Sequence, residues 1–214
     1  ALTPTQLAQS LILEKRALGV DFTGHGLEQD AGTLEGPAVH PSWPEGELSY
    51  WYQAENSAIA FNDNCVDLVF RPATRVGRRP QIALTPDFGY IKVKNQAVTG
   101  PPGSAFTLDY RRKPGKNKGR FFGSIPIGPA RHDYISVHDP ARFAAETLRR
   151  IWQRKGIKVS NVVLWKKAGL RDDELAPIIA WQSEPLSELV KIVNKKSQNF
   201  YAEQFLKTLG KEAT

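Results

Sequence analysis

The chain has 214 residues, 41% of them hydrophobic and 24% charged, enough for one large domain or two small ones with real cores, which excludes intrinsic disorder as an overall description. Its formal net charge of +7 conceals a gradient: residues 1–70 carry 2 basic and 10 acidic side chains, residues 71–120 carry 12 and 2, and residues 121–214 carry 15 and 10. The single cysteine, Cys65, excludes an intrachain disulfide framework and a cysteine zinc site, and no apolar run approaches the ~20 residues that span a bilayer.

Thr3 and Pro4 supply an N-cap and a first helical position, and Leu7, Leu11, Ala17 and Leu18 recur near helical spacing up to Gly19, predicting an amphipathic helix over about residues 4–18. From Val20 to Gly46 the text is rich in Gly, Pro, Asp and Glu and reads as a short strand followed by loops. From Leu48 to Val137, aromatic and β-branched runs alternate with turn clusters at the spacing of an antiparallel β module. Strands are predicted at 49–53, 57–61, 65–71, 80–85, 89–97, 104–112, 119–127 and 133–137. Turn signals between them include Asn62-Asp63-Asn64, Gly77, Gly100-Pro101-Pro102-Gly103 and Pro114-Gly115.

Asp139 as N-cap and Pro140 at the first helical position open a second helix, with Phe143, Leu148, Ile151 and Trp152 on its inner face and Gly156 as its stop. Ile157–Trp165 reads as a strand, Lys166–Leu175 as a charged connection and Pro177–Trp181 as another short strand. Pro185 opens a helix whose apolar face is Leu186, Leu189, Val190 and Val193. After Lys195-Lys196 a last helix carries Phe200, Tyr201, Phe205, Leu206 and Leu209, with Tyr201, Phe205 and Leu206 inward, and stops at Gly210. The order of elements predicts an α+β fold, with an antiparallel β-rich module inserted into a smaller α/β unit.

The histidines, His25, His40, His132 and His138, are scattered and form no pair on one helical face, so no metal or other cofactor is expected. Cys65 lies inside an apolar strand and reads as a small buried hydrophobe rather than a nucleophile. Neither GxGxxG nor GxxxxGK[ST] occurs, which leaves nucleotide phosphate cradles unsupported. Arg111, Arg112, Lys113, Lys116, Lys118 and Arg120 adjoin Phe121 and Phe122, a mixture that can bind single-stranded nucleic acid or simply form a solvated hairpin tip. Near the end, Ser197-Gln198-Asn199 forms an S-x-N between two amphipathic helices, where taken alone the serine also reads as a helix N-cap.

The wording SEPLSELVKIVNKKSQNFYAEQFLKTLG, Ser183–Gly210, resembles the region around the second active-site motif of low-molecular-mass class C penicillin-binding proteins, serine D-alanyl-D-alanine carboxypeptidases and endopeptidases of the bacterial cell envelope. YQAENSAIAFNDNCVDLVFRP, Tyr52–Pro72, is similar to that family's entry into its inserted β domain, and HDPARFAAETLRRIWQRKGIKV, His138–Val159, to the return path. Of the three motifs of penicillin-recognising enzymes, S-x-x-K, S-x-N and K-T-G, the sequence holds the second alone. No Ser is followed three residues later by Lys, and Lys207-Thr208-Leu209 is not K-T-G and falls on a predicted helix.

The resemblance implies that residues 1–46 and 132–175 are two parts of an α/β inserted domain, 47–131 an antiparallel β domain within it, and 176–214 part of a transpeptidase-type (β-lactamase-like) domain. It implies catalytic roles for Ser197, a hydroxyl in the proton relay to the leaving amine, and Asn199, an amide that holds the acyl side of the peptide. Gln198 receives no role, and Lys195 and Lys196 either attract stem-peptide carboxylates or are solvated helix-end lysines. The implied partners are peptidoglycan stem peptides, with β-lactams for the full-length parent, no nucleic acid and no transmembrane segment, in the periplasm or extracellular envelope. The absence of Met and of a signal peptide fits the interior of a longer exported enzyme, inactive as this chain alone. The alternative function is a non-enzymatic module that binds an anionic polymer through the basic residues 71–120.

Overall fold

The computed structural model describes residues 27–30, 36–165 and 183–213. The strands in chain order are β1 (Leu27–Asp30), β2 (Cys65–Arg71), β3 (Gln81–Thr85), β4 (Lys92–Asn95), β5 (Val98–Gly100), β6 (Asp109–Arg112), β7 (Lys118–Phe122), β8 (Ser124–Pro126), β9 (Arg131–Ser136) and β10 (Val162–Trp165). The helices are α1 (Pro140–Arg154), α2 (Leu186–Lys196) and α3 (Asn199–Glu212). The fold is mixed α+β, as expected, and divides into two compact units. One comprises Ala1–Gly36, Ser57–Ala60 and Ala141–Thr214, the other Pro37–Asn56 and Phe61–Pro140. The predicted helix at 4–18, the connection 166–175 and the strand 177–181 lie outside the described residues.

In the β-rich unit, β2 is the centre of an antiparallel β3–β2–β9 sheet. It forms as predicted because Cys65-Val-Asp-Leu-Val-Phe alternates: Val66, Leu68 and Phe70 are each at most 1% exposed, while Asp67 and Val69 on the other face are only half-buried. A second sheet runs β4–β7–β6, and β5 pairs with β8. The pairings β4–β7 and β5–β8 are parallel, which a meander of short strands does not announce. The core joins Phe70, Tyr110 and Phe121, whose rings meet edge-on with centroids 5.8 Å (Phe70–Phe121) and 6.0 Å (Tyr110–Phe121) apart. Ile125 and Ile135 are fully buried. Trimming Ile135 to valine deletes one methylene from this packed interior, and a urea titration should read a loss of about 1 kcal/mol.

Several predicted strands are shorter or absent. Residues 49–53 are not a strand: Trp51–Gln53 form a 3-10 turn and Tyr50 makes only an isolated bridge to Ile135. The aromatics gather on each other instead of alternating, with the Tyr50 and Tyr52 rings stacked at 5.4 Å. Residues 57–61 make no ladder, and the Ser57 carbonyl accepts from the Gln204 side-chain amide at 2.8 Å. The 89–97 run pairs over Lys92–Asn95 alone, because the Asn95 side chain donates to Pro80 O at 2.8 Å and accepts from Ala97 N–H at 3.1 Å, closing the strand. The 104–112 run is paired only from Asp109, and 119–127 is broken at Gly123 into β7 and β8. The Asn62-Asp63-Asn64 signal is a left-handed turn with φ of 53°, 50° and 57°, a region Asn and Asp tolerate better than other side chains.

In the other unit, β1 and β10 pair in parallel from Leu27↔Val162 to Asp30↔Trp165. Helix α1 ends as predicted: Gly156 has φ +83°, and Ile157 N–H reaches back to Trp152 O at 3.0 Å in a Schellman closure. Its start differs, since Asp139 has φ +58° rather than the extended backbone of an N-cap. Phe143 is fully buried, but Leu148, Ile151 and Trp152 are half-buried. Helix α3 continues through Gly210 to Glu212. Val190 is 38% and Leu206 63% exposed, against the inward positions predicted for them. Periodicity marks an apolar stripe, whereas burial needs a facing surface, which the described residues do not supply to these two side chains.

Candidate functional site

The S-x-N segment is the turn between α2 and α3. Ser197 caps the end of α2 with φ 51° and ψ 48°, and its backbone N–H and that of Gln198 both return to Val193 O. Left-handed backbone at this position is ordinarily glycine's, and a serine there carries a cost of about 1–2 kcal/mol. The serine is thus not the N-cap of the following helix: Gln198 holds that position and contributes no side-chain cap bond. The Ser197 side chain is exposed, Gln198 is 8% exposed, and Asn199 is half-buried as the first residue of α3. Phe200, 5% exposed, fixes the start of α3, and its ring meets Tyr201 edge-on at 5.6 Å.

The turn therefore presents a hydroxyl at Ser197 and, two residues on, an amide at Asn199, both at the positive end of a 14-residue helix. Lys195 and Lys196 are exposed in the last turn of α2. Lys207 and Thr208 lie inside α3, where the Thr208 hydroxyl donates to Gln204 O at 2.8 Å, as the helical reading of that tripeptide requires. Cys65 is buried at 2% exposure, and desolvation pushes its thiol well above the ordinary range, which suits a packing residue and not a nucleophile.

The β-rich unit holds a second polar constellation that the sequence reading missed. Glu55, buried to 5% exposure, accepts from Arg112 Nη2 at 3.3 Å and from Asp139 N–H at 3.1 Å, and faces His138 Nδ1 at 3.0 Å. Arg112 also donates to Leu48 O at 2.7 Å and Ser136 Oγ at 3.3 Å. Burial lowers the pKa of Arg112, opposed by the attraction of Glu55. Glu55, Arg112 and His138 are brought together from distant parts of the chain, so no local motif could reveal them. They leave no room for Arg112 in a solvated hairpin tip, and Phe121, 1% exposed, is core rather than a stacking platform. Desolvation, reinforced by a hydrogen bond to Asp109, raises the Tyr50 hydroxyl to a pKa of about 12.

No helix among the described residues is long and apolar enough to cross a membrane, and they hold no cluster of three metal-ligating side chains. The chain is 30% identical over 184 residues to the D-alanyl-D-alanine carboxypeptidase of Actinomadura sp. (strain R39), a match covering 79% of this chain and 32% of that protein. The chain thus spans about a third of the curated relative it matches. Its fold is similar to part of penicillin binding protein 4 (dacB) from Haemophilus influenzae, with TM-score 0.77 and 21% identity over 97% of this chain and 45% of the other. A second structure of that protein, in complex with a β-lactam, matches with TM-score 0.61 and 20% identity over 94% of this chain and 42% of the other. The model of the D-Ala-D-Ala carboxypeptidase 3 (S13) family matches residues 2–214, so the chain belongs to that family.

Proposed function

We propose that this chain is part of a cell-envelope serine peptidase that hydrolyses D-alanyl-D-alanine bonds of peptidoglycan stem peptides and is acylated by β-lactams, with Ser197 and Asn199 in its active site. In this reading residues 47–131 form a β domain inserted into an α/β domain made of 1–46 and 132–175, and 176–214 contribute to the transpeptidase-type domain. The observation that carries the site assignment is the backbone at Ser197. A non-glycine residue held at φ 51° where glycine costs least is a strained position, and strain of that kind gathers at functional sites.

In this reading the chemistry passes through an acyl-enzyme. A serine nucleophile attacks the D-Ala-D-Ala carbonyl, the amine leaves with a proton, and water releases the acyl group. The Ser197 hydroxyl accepts and donates at once, which suits it to pass that proton to the departing amine. The Asn199 side-chain amide holds the acyl-side peptide group and fixes the approach geometry. The positive end of α3 with Lys195 and Lys196 nearby favours a substrate carboxylate.

Two substitutions separate relay from conformation. In the protein that carries the S-x-x-K nucleophile, Ser197→Ala should slow D-Ala release by about 10²–10⁴-fold, the usual worth of positioned proton transfer. Ser197→Gly should lose the same activity while melting no lower than the parent, because glycine relieves the left-handed backbone. Release within threefold of the parent in either variant would remove the relay role. The 214-residue chain itself, with no S-x-x-K, should form no covalent adduct with labelled penicillin.

A further inference from the structure

We propose that the outer face of the β4–β7–β6 sheet is a binding site for a linear phosphodiester polyanion that carries no stacking bases. Strand register creates the site. Lys92 lies beside Lys118, and Lys113 N–H bonds Lys118 O at 2.9 Å, giving one row of three cations across the sheet. Lys94, Arg120 and Arg111 form the next row. Paired residues share a face and every second residue returns to it, so the rows are about 6.6–6.8 Å apart along the strands and their members about 4.8 Å apart across them. All six side chains are exposed, while Arg112, between Arg111 and Lys113, turns inward. They border a groove of about 910 Å³ whose lining also includes Arg112, Leu84, Ile91 and Val93, with Asp87 as its one acid. None of the six is ion-paired among the described residues.

Ordinary surface chemistry does not account for this grid. Like charges directly opposite one another oppose strand pairing, and the register sets four such pairs: Lys92 with Lys118, Lys94 with Arg120, Arg111 with Arg120 and Lys113 with Lys118. Lysines that guard a sheet against aggregation sit on its edges. Lys118 and Arg120 are on β7, the central strand, where there is no edge to guard. A bound anion removes the repulsion that the free sheet has to carry.

The geometry also selects the ligand. Two rows in line ask for a chain with repeated charge rather than a single small anion. An anion over β7 is met from both flanking strands and from beneath, and the divergent oxygens of a phosphodiester accept from all three sides, whereas a carboxylate accepts in one plane. Single-stranded nucleic acid binding relies on aromatic platforms. No aromatic residue borders the groove, Phe121 is buried, and Arg120 covers the Phe122 ring at 5.4 Å from its centroid. The proposal does not rest on the peptidase reading: acylation by penicillin tests one and polyanion binding the other.

The test is fluorescence anisotropy of labelled poly(glycerol phosphate) titrated with this chain at several salt concentrations, beside polygalacturonate and oligothymidylate of matched charge. Four to six engaged cations should give a slope of log affinity against log salt of about −3 to −4. Lys118→Gln/Arg120→Gln should weaken binding about tenfold at low salt and flatten the slope by about 1.4, without lowering the melting temperature, since it relieves all four like-charge pairs. Lys116→Gln, at the turn outside the groove, should leave affinity within twofold. Absence of binding, equal affinity in the double variant, or tighter binding of polygalacturonate or oligothymidylate would overturn the assignment.

Discussion

Replacing Glu55 by alanine is expected to lower the free energy of unfolding by about 3–5 kcal/mol, read as a shift of the urea midpoint, because it strands a buried guanidinium. The Arg112 side chain is 1% and that of Glu55 7% exposed. Nε and Nη1 of Arg112 find no acceptor among the described residues, so its neutralisation rests on Glu55, with the Leu48 carbonyl and Ser136 hydroxyl as dipolar partners. Removing both charges should restore much of the loss: Glu55→Ala/Arg112→Met is expected to be more stable than Glu55→Ala alone. Equal loss in the single and double variants would mean that something other than the unpaired charge sets the cost. His138 behaves differently. Its side chain is 40% exposed and can turn to water, so His138→Ala should cost no more than about 1 kcal/mol.

Gly123→Ala is expected to cost about 4 kcal/mol and to loosen the β6–β7 pairing. A Cβ at this position would lie 2.0 Å from Thr107 O and 2.7 Å from its carbon, both backbone atoms that cannot swing aside. The backbone at φ +82° adds a left-handed penalty of about 1–2 kcal/mol to an overpacking cost of about 1–3 kcal/mol. Gly115 is the control. It has φ +62°, and a Cβ there would meet nothing within 4 Å, so Gly115→Ala should lose only about 1–2 kcal/mol. Equal losses at the two glycines in matched denaturant titrations would show that backbone angle, not the approach of Thr107, decides.

The two glycines also show what a linear reading captures. Gly115 is part of a Pro-Gly signal and its turn was legible, because a turn is made by the residues that spell it. Gly123 stands inside an apolar run that reads as one strand. Its role is to bend the chain so that β7 pairs with β4 and β6 while β8 pairs with β5, and that depends on Thr107, sixteen residues away. The S-x-N lies between the two cases. Its position between helices was legible from periodicity, but a serine before a helix looks like an N-cap on paper, and only the backbone at φ 51° shows that it ends α2 instead.

The sequence by itself determined the elements whose signals are local: the alternation of β2, the Gly156 stop of α1, the Pro185 start of α2, the mixed α+β order and the S-x-N turn. It also determined that a basic segment follows an acidic one. The tertiary structure alone decided which charges meet. Arg112 and Arg111 are neighbours in one basic run, yet strand alternation buries the first against Glu55 and places the second in a row with Lys94 and Arg120. The reason is that pairing register and burial are properties of contacts between distant segments, fixed when apolar area is buried collectively, and no window of adjacent residues carries them.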